Sequence, residues 1–171
     1  KKSVELLDNG LRNYSRVIRK TTGIDAAHIA GAGAAGGIGG GFAAFLRAEI
    51  VSGIETVLEI GKFEDKIRDA DLLFTGEGRV DIQTLYGKAP GVVTRISEKR
   101  GVPVVILAGS AEKEIQKKKI FKNAAIEEIA PRDIPRETAM KNAEKYLYNT
   151  AVQALINRLM KRACFLNEKF I

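Results

Sequence analysis

Residues 71–110 read DLLFTGEGRVDIQTLYGKAPGVVTRISEKRGVPVVILAGS. Asp71-Leu-Leu-Phe-Thr75 is an apolar run that stops at Gly76-Glu77-Gly78, and Val102-Pro-Val-Val-Ile-Leu-Ala108 is a second one that stops at Gly109-Ser110. Both have the composition of buried strands bounded by turn residues. Between them Pro90 to Lys99 predicts a helix, with Pro90 in the first turn, where a missing N–H costs nothing. Strand, helix and strand in this order make a parallel unit with a right-handed crossover, and ligands of such units bind beyond the carboxyl ends of the strands.

The pattern continues more weakly downstream. Glu112 to Phe121 predicts a helix, Ala124 to Ala130 a strand, and Pro131 and Pro135 bracket a loop. Arg136 to Arg162 predicts one long helix, with Ala139, Ala143, Leu147, Ala151, Ala154, Leu155 and Leu159 on a stripe, and Phe165 to Ile171 is a tail. The expected fold is α/β: a mainly parallel sheet flanked by helices in Rossmann-like layers.

Upstream, Val4, Leu7, Leu11, Tyr14, Val17 and Ile18 recur at helical spacing over Val4 to Thr21, and Gly23 ends the helix. Ile29 to Leu46, IAGAGAAGGIGGGFAAFL, carries no charge, and 7 of the chain's 17 glycines lie between Gly31 and Gly41. Glycine disfavours helix interiors by roughly 1 kcal/mol relative to alanine, so this stretch reads as a loop that becomes a helix over Phe42 to Val51, with Gly53 as its stop. Glu55 to Ile60 suits a short strand or a helix, and Phe63 to Ala70 a helix.

Three readings compete for the glycine run. Its side chains are mostly absent or methyl, too little apolar area to favour lipid. Successive glycine N–H groups at a helix start suit a phosphate. Gly31-x-Gly33-x-x-Gly36 also matches the dinucleotide fingerprint, with Glu49 or Glu55 available for a ribose. The third reading is tight packing of small residues against a neighbouring element.

The 171 residues suit one α/β unit over 1–171, divided into glycine loop and flanking helices (1–54), strand-helix repeats (55–130) and C-terminal helix (131–171). The net charge of +7 is spread along helical patterns; Lys117-Lys118-Lys119 is the compact run, a solvated face, and no aromatic or zinc motif for nucleic acid accompanies it. A basic balance suits small anionic substrates. A single Cys164, on the stripe of the last helix, rules out an internal disulfide and points to a reducing compartment. His28 is the one histidine, which removes multi-histidine metal sites and leaves a loop or strand-end role. No apolar signal core follows Lys1-Lys2-Ser3, so no targeting segment is expected.

Polar groups concentrate in Thr75-Gly-Glu77-Gly78-Arg79-Val-Asp81-Ile-Gln83-Thr84 and in Gly87-Lys88-Ala-Pro90, both at strand ends. Phosphoryl transfer needs a carboxylate for the hydroxyl proton or Mg²⁺, a cation for the moving phosphoryl group, and backbone donors for the other phosphates. Asp81 and Glu77 can supply the carboxylate, Lys88 the cation, and Gly31, Gly33, Gly36 and Gly37 the donors.

With Gly31-Ala-Gly33-Ala-Ala-Gly36-Gly37, the Thr75 to Thr84 segment, Gly87-Lys88-Ala-Pro90 and Leu107-Ala-Gly109-Ser110 standing in this order, the chain resembles the bacterial-type glycerate kinase family. The likeness covers Val4 to Ser110 and resumes at Ile134 to Thr150; the Asp-Ser-Phe-Lys-Gly and Gly-Gly-Glu-Gly stretches with which family members begin do not occur. The resemblance implies the C-terminal portion of a two-part kinase architecture, without its N-terminal half. It implies cytoplasmic, ATP- and Mg²⁺-dependent phosphorylation of glycerate, at either hydroxyl, with the fragment inactive by itself. It adds Thr75, Gly76 and Gly78 to the cofactor-binding glycines, assigns Arg79, Gln83 and Thr84 to substrate, and gives Asp81 and Glu77 the metal. An unpaired half would expose apolar surface, so self-association is expected. Without the resemblance, a dinucleotide-binding module or a non-catalytic α/β interaction module stays open.

Overall fold

The computed structural model of the protein describes residues 2–85, 87–118 and 121–167. The side chains of 83, 85, 116–118 and 161–167 fall outside the described residues, so the expectations for Gln83, for Cys164 and for the Lys117–Lys119 run lie there, as does the tail beyond 167. Contacts group the chain into two compact units, Lys1–Ser52 and Gly53–Ile171. Among the described residues no helix is long and apolar enough to cross a membrane.

In the first unit, α1 (Lys2–Thr22) ends where Gly23, at φ +78, turns its N–H onto the Arg19 carbonyl at 2.9 Å. A 3₁₀ turn at Ala26–His28 follows, then α2 (Ala34–Phe45). The glycine segment is thus largely helical, and the expected helix over Phe42 to Val51 is displaced towards the N-terminus. Inside α2, Ala35, Gly36 and Gly37 take left-handed φ of 50°, 70° and 97°, and regular helix follows them. Packing overrides propensity here. A Cβ on Gly37 would meet Leu11 Cδ2 at 3.0 Å and the Tyr14 ring at 3.1 Å, and one on Gly41 would meet Tyr14 Oη at 2.6 Å, so the absent side chains make room for α1. Ile18, Ala26 and Ala44 form the small core, while Val4, Leu7 and Val17 of the α1 stripe stay exposed.

The second unit opens with α3 (Gly53–Ile60) and α4 (Phe63–Lys66). Glu55 to Ile60 is therefore helix, and Gly53 starts that helix where the sequence reading has it stop the previous one. The α/β part follows: β1 (Leu73–Val80), α5 (Ile82–Leu85), α6 (Ala89–Lys99), β2 (Val104–Ala111), α7 (Lys113–Lys118), β3 (Ala124–Glu128), α8 (Arg136–Lys141) and α9 (Ala143–Asn167). The strands form a parallel sheet in the order β1-β2-β3, with Leu73 opposite Val104 and Val104 opposite Ala124. This is the α/β architecture expected from the apolar runs.

β2 is buried on both faces, as a central parallel strand must be. Val104, Ile106 and Ala108 pack with Ile115 and Phe121, while the alternate Val105 and Leu107 pack with Ala151 and Ala154 of α9. Each such valine or isoleucine contributes roughly 1.5–3 kcal/mol over an exposed one.

Two boundaries differ from the sequence reading. β1 and β2 continue through Gly76–Gly78 and Gly109–Ser110, with Glu77 opposite Ala108 and Arg79 opposite Ser110. These glycines do not turn the chain. A Cβ on Gly109 would lie 2.7 Å from the Gly78 carbonyl oxygen, so its absence lets the paired strands stay close. The long C-terminal helix is interrupted at Asn142, whose side-chain amide donates to the Thr138 carbonyl at 2.9 Å and competes with the regular helical pattern.

Two substitutions in the left-handed turn should act with opposite sign. Gly37→Ala should cost roughly 1–3 kcal/mol in urea unfolding, and Ala35→Gly should add up to about 1 kcal/mol; equal effects would mean that the turn is not left-handed. The buried Thr94 hydroxyl of α6 has no hydrogen-bond partner among the described residues. Thr94→Val should therefore be neutral or stabilise by about 1 kcal/mol, and a clear loss of stability would show a partner.

Candidate functional site

The polar groups of the second unit collect where β1, β2 and β3 end. Asp81 follows β1 directly and caps the short α5: the Thr84 N–H donates to Asp81 Oδ1 at 3.1 Å, and the Asp81 N–H donates to Thr84 Oγ1 at 3.1 Å. This is a reciprocal capping box, with aspartate at the cap and threonine three residues on. The Thr84 hydroxyl also donates to Asp81 Oδ1 at 3.2 Å and is fully buried. Lys88 uses its carbonyl to accept the first N–H groups of α6, from Gly91 and Val92, which directs its side chain back towards α5. Its ammonium lies 3.2 and 3.3 Å from the two Asp81 carboxylate oxygens, with the side chains 35% and 20% exposed.

Burial is the largest single influence on the Asp81 carboxyl and acts to raise it. The Lys88 ammonium and the Thr84 N–H and hydroxyl together outweigh burial and hold Asp81 below the ordinary carboxylate range. Asp81 is therefore an anion at neutral pH, fixed in direction by three neighbouring groups. Asp81, Thr84 and Lys88 come together as one cluster.

The other expected site residues are placed separately. Glu77 is half-buried in β1, and its carboxylate accepts the Gly78 N–H at 3.1 Å. Thr75 and Gly76 lie inside β1, opposite Ile106 and Leu107. Arg79 is exposed and donates to Glu112 Oε1 at 3.1 Å, while the Glu112 N–H reaches the Val80 carbonyl at 3.0 Å. Gly31, Gly33, Gly36 and Gly37 belong to the first unit, where the Gly37 and Gly40 N–H groups already donate to the carbonyls of Gly33 and Ala32. The dinucleotide reading needs a strand before Gly31, and a 3₁₀ turn stands there instead.

A cleft of about 900 Å³ opens at the same strand ends. Gly78 and Arg79 of β1, Gly109 to Ala111 of β2 and Glu128 of β3 form its floor, and Lys113, Arg132, Arg136 and Met140 are among its walls. Glu128, with its side chain 13% exposed, accepts the Ala111 N–H at 3.0 Å and takes the Arg132 guanidinium on both oxygens at 2.6 Å. It thereby ties the end of β3 to the end of β2. Sequence reasoning missed Lys113, Glu128, Arg132 and Arg136. The available signal was the rule that ligands sit beyond parallel strand ends, applied to the charged residues after the second and third strands as it was to those after the first.

The model of the glycerate kinase family matches residues 1–160. A glycerate kinase of Halalkalibacterium halodurans is 37% identical over 151 residues, which cover 87% of this chain and 39% of that protein. A glycerate 2-kinase of Escherichia coli is 44% identical over 109 residues, covering 64% of this chain and 29% of that protein. The crystal structure of a protein assigned as glycerate kinase 2 from Salmonella typhimurium LT2 superposes with a TM-score of 0.57 at 30% identity, over 94% of this chain and 42% of that one. The chain spans about two fifths of the length of the first of these relatives, and the match lies in the relatives' C-terminal part. Matched by the family over residues 1–160 and built on a parallel α/β sheet, this chain belongs to the glycerate kinase family.

Proposed function

We propose that the chain is the C-terminal part of an enzyme that phosphorylates glycerate with ATP, and that Asp81 and Lys88 act at the reacting atoms. The observation that carries this reading is the Asp81–Thr84–Lys88 cluster beyond β1, in a chain of the glycerate kinase family. A glycerate hydroxyl attacks the γ-phosphorus of ATP; the new O–P bond forms as the bond to the β-phosphate oxygen breaks, and ADP leaves. Asp81 accepts the hydroxyl proton. The transition state of such a transfer is loose, so a carboxylate held ionised and correctly aimed serves better than a strong base. Lys88 offsets charge on the moving phosphoryl group, exchanging part of its contact with Asp81 for phosphate oxygens.

Mg²⁺ takes one or two carboxylates and fills its remaining positions with phosphate oxygens and water. Among the described residues no three metal-binding side chains gather, which suits an ion carried in largely by the nucleotide. Asp81 or Glu77 would hold it, and when bound it would neutralise charge on the phosphates. Arg79 and Gln83 are the proposed contacts to the acid, and Thr75, Gly76 and Gly78 stand on the same strand. Thr84 supports the site through Asp81, since its hydroxyl is already committed. Backbone donation to a phosphate by the first unit's own glycines, the cytoplasm as location, and self-association are also proposed. Exposed Leu7, Phe42 and Phe45 favour the last of these.

In the protein at its full natural length, Asp81→Asn should keep the cap, because asparagine caps helices as well as aspartate does. It should lower kcat by roughly two orders of magnitude, and near-normal turnover would move the role to Glu77. Lys88→Met should lower kcat and raise KM for ATP, while an effect on glycerate KM alone would exclude contact with the phosphoryl group. The pH dependence has a defined sign. Since the folded Asp81 carboxyl is held low, its stabilisation is complete above the unfolded value of about 3.9 and is lost as pH falls through the lower folded value. Wild type should therefore exceed Asp81→Asn in stability at pH 6, and the difference should vanish in strong acid; a difference that grows on acidification would reverse the assignment.

A further inference from the structure

We infer that the 900 Å³ cleft at the strand ends is the seat of the nucleotide's polyphosphate, with Lys113 and Arg136 as the cations that meet it. This rests on the kinase reading above and adds to it where the nucleotide binds. Three observations converge on the cleft.

The first is charge. Arg79, Lys113, Arg132 and Arg136 line the cleft against the single lining carboxylate of Glu128, which is already engaged by Arg132 on both oxygens. Arg79 is likewise partnered, by Glu112. The side chains of Lys113 and Arg136, by contrast, make no hydrogen bond or ion pair among the described residues, so two cations line the cleft with their donors open. The paired arginines shape the wall, and the open pair attracts an anion.

The second observation is size. A three-carbon acid would fill a small fraction of about 900 Å³, whereas a cleft of this volume falls in the range that holds a nucleotide-sized ligand. Met140 and Ala139 give apolar surface for a base, and the cations suit the phosphates. The third is position. Gly78 and Arg79, which line the cleft, stand three and two residues before Asp81 at the end of the same strand. Glu128 holds the geometry by bridging β3 to β2 through the Ala111 N–H.

The test is equilibrium binding of the fluorescent nucleotide mant-ATP to the protein at its full natural length, with turnover of glycerate measured in parallel. The variants are Lys113→Ala combined with Arg136→Ala, and the charge-keeping pair Lys113→Arg with Arg136→Lys; both residues are exposed, so the fold should be kept. The alanine pair should weaken mant-ATP at least about tenfold, as expected for removing two charge-assisted contacts, with KM for glycerate within twofold of wild type. The charge-keeping pair should restore most of the affinity. Unchanged mant-ATP affinity in the alanine pair, or a rise confined to glycerate KM, overturns the assignment while the kinase reading stands. A wild-type protein that neither binds mant-ATP nor makes phosphoglycerate overturns both.

Discussion

The parallel pairing of β2 with β1 and β3 is the constraint on which the placement of the second unit's polar groups depends. Parallel strands bring their carboxyl ends to one side of the sheet, and pairing continues through Val80 and Ala111 on one side of β2 and through Glu128 on the other. Three short polar segments far apart in sequence are thereby set side by side. The pairing holds because β2 is sealed on both faces, by Ile115 and Phe121 on one and by Ala151 and Ala154 of α9 on the other. The close approach at Gly109 and Gly78 extends the pairing to the point where the charged residues begin.

What lies beyond the sheet is held by polar contacts that each serve two purposes. Asp81 closes the first turn of α5 and orients Lys88; Lys88 starts α6 with its carbonyl and reaches Asp81 with its ammonium. Glu128 fixes Arg132 and also the end of β2. Charged groups held by local caps and by bridges between strands keep their direction before any ligand arrives, and such preorganisation is what electrostatic stabilisation of a transferring phosphoryl group requires.

The strands and the helix between them were legible in the sequence because their signals are local: an apolar run for β2, a proline in the first turn for α6. The residues that make the capping box were also legible as a polar cluster, though their capping role was not. The sequence reading erred where tertiary contact decided the outcome. Gly76–Gly78 and Gly109 look like turns, yet they extend strands because the neighbouring backbone must come close. Gly31 to Gly41 looks like a loop by propensity, yet from Ala34 it is largely helix because α1 packs where glycine side chains are missing. The cations Lys113, Arg132 and Arg136 were invisible as a group because no sequence spacing unites them; the sheet does.

In the proposed enzyme, ligands engage the carboxyl ends of the three strands. Amide hydrogen exchange of the full-length protein, with and without glycerate and a non-hydrolysable ATP analogue, tests it most directly. The expected result is ligand-dependent protection concentrated in three segments of this chain's second unit: Gly78 to Lys88, Gly109 to Lys113 and Glu128 to Arg136. Protection confined to the amino ends of the strands, around Leu73, Val104 and Ala124, would contradict the account.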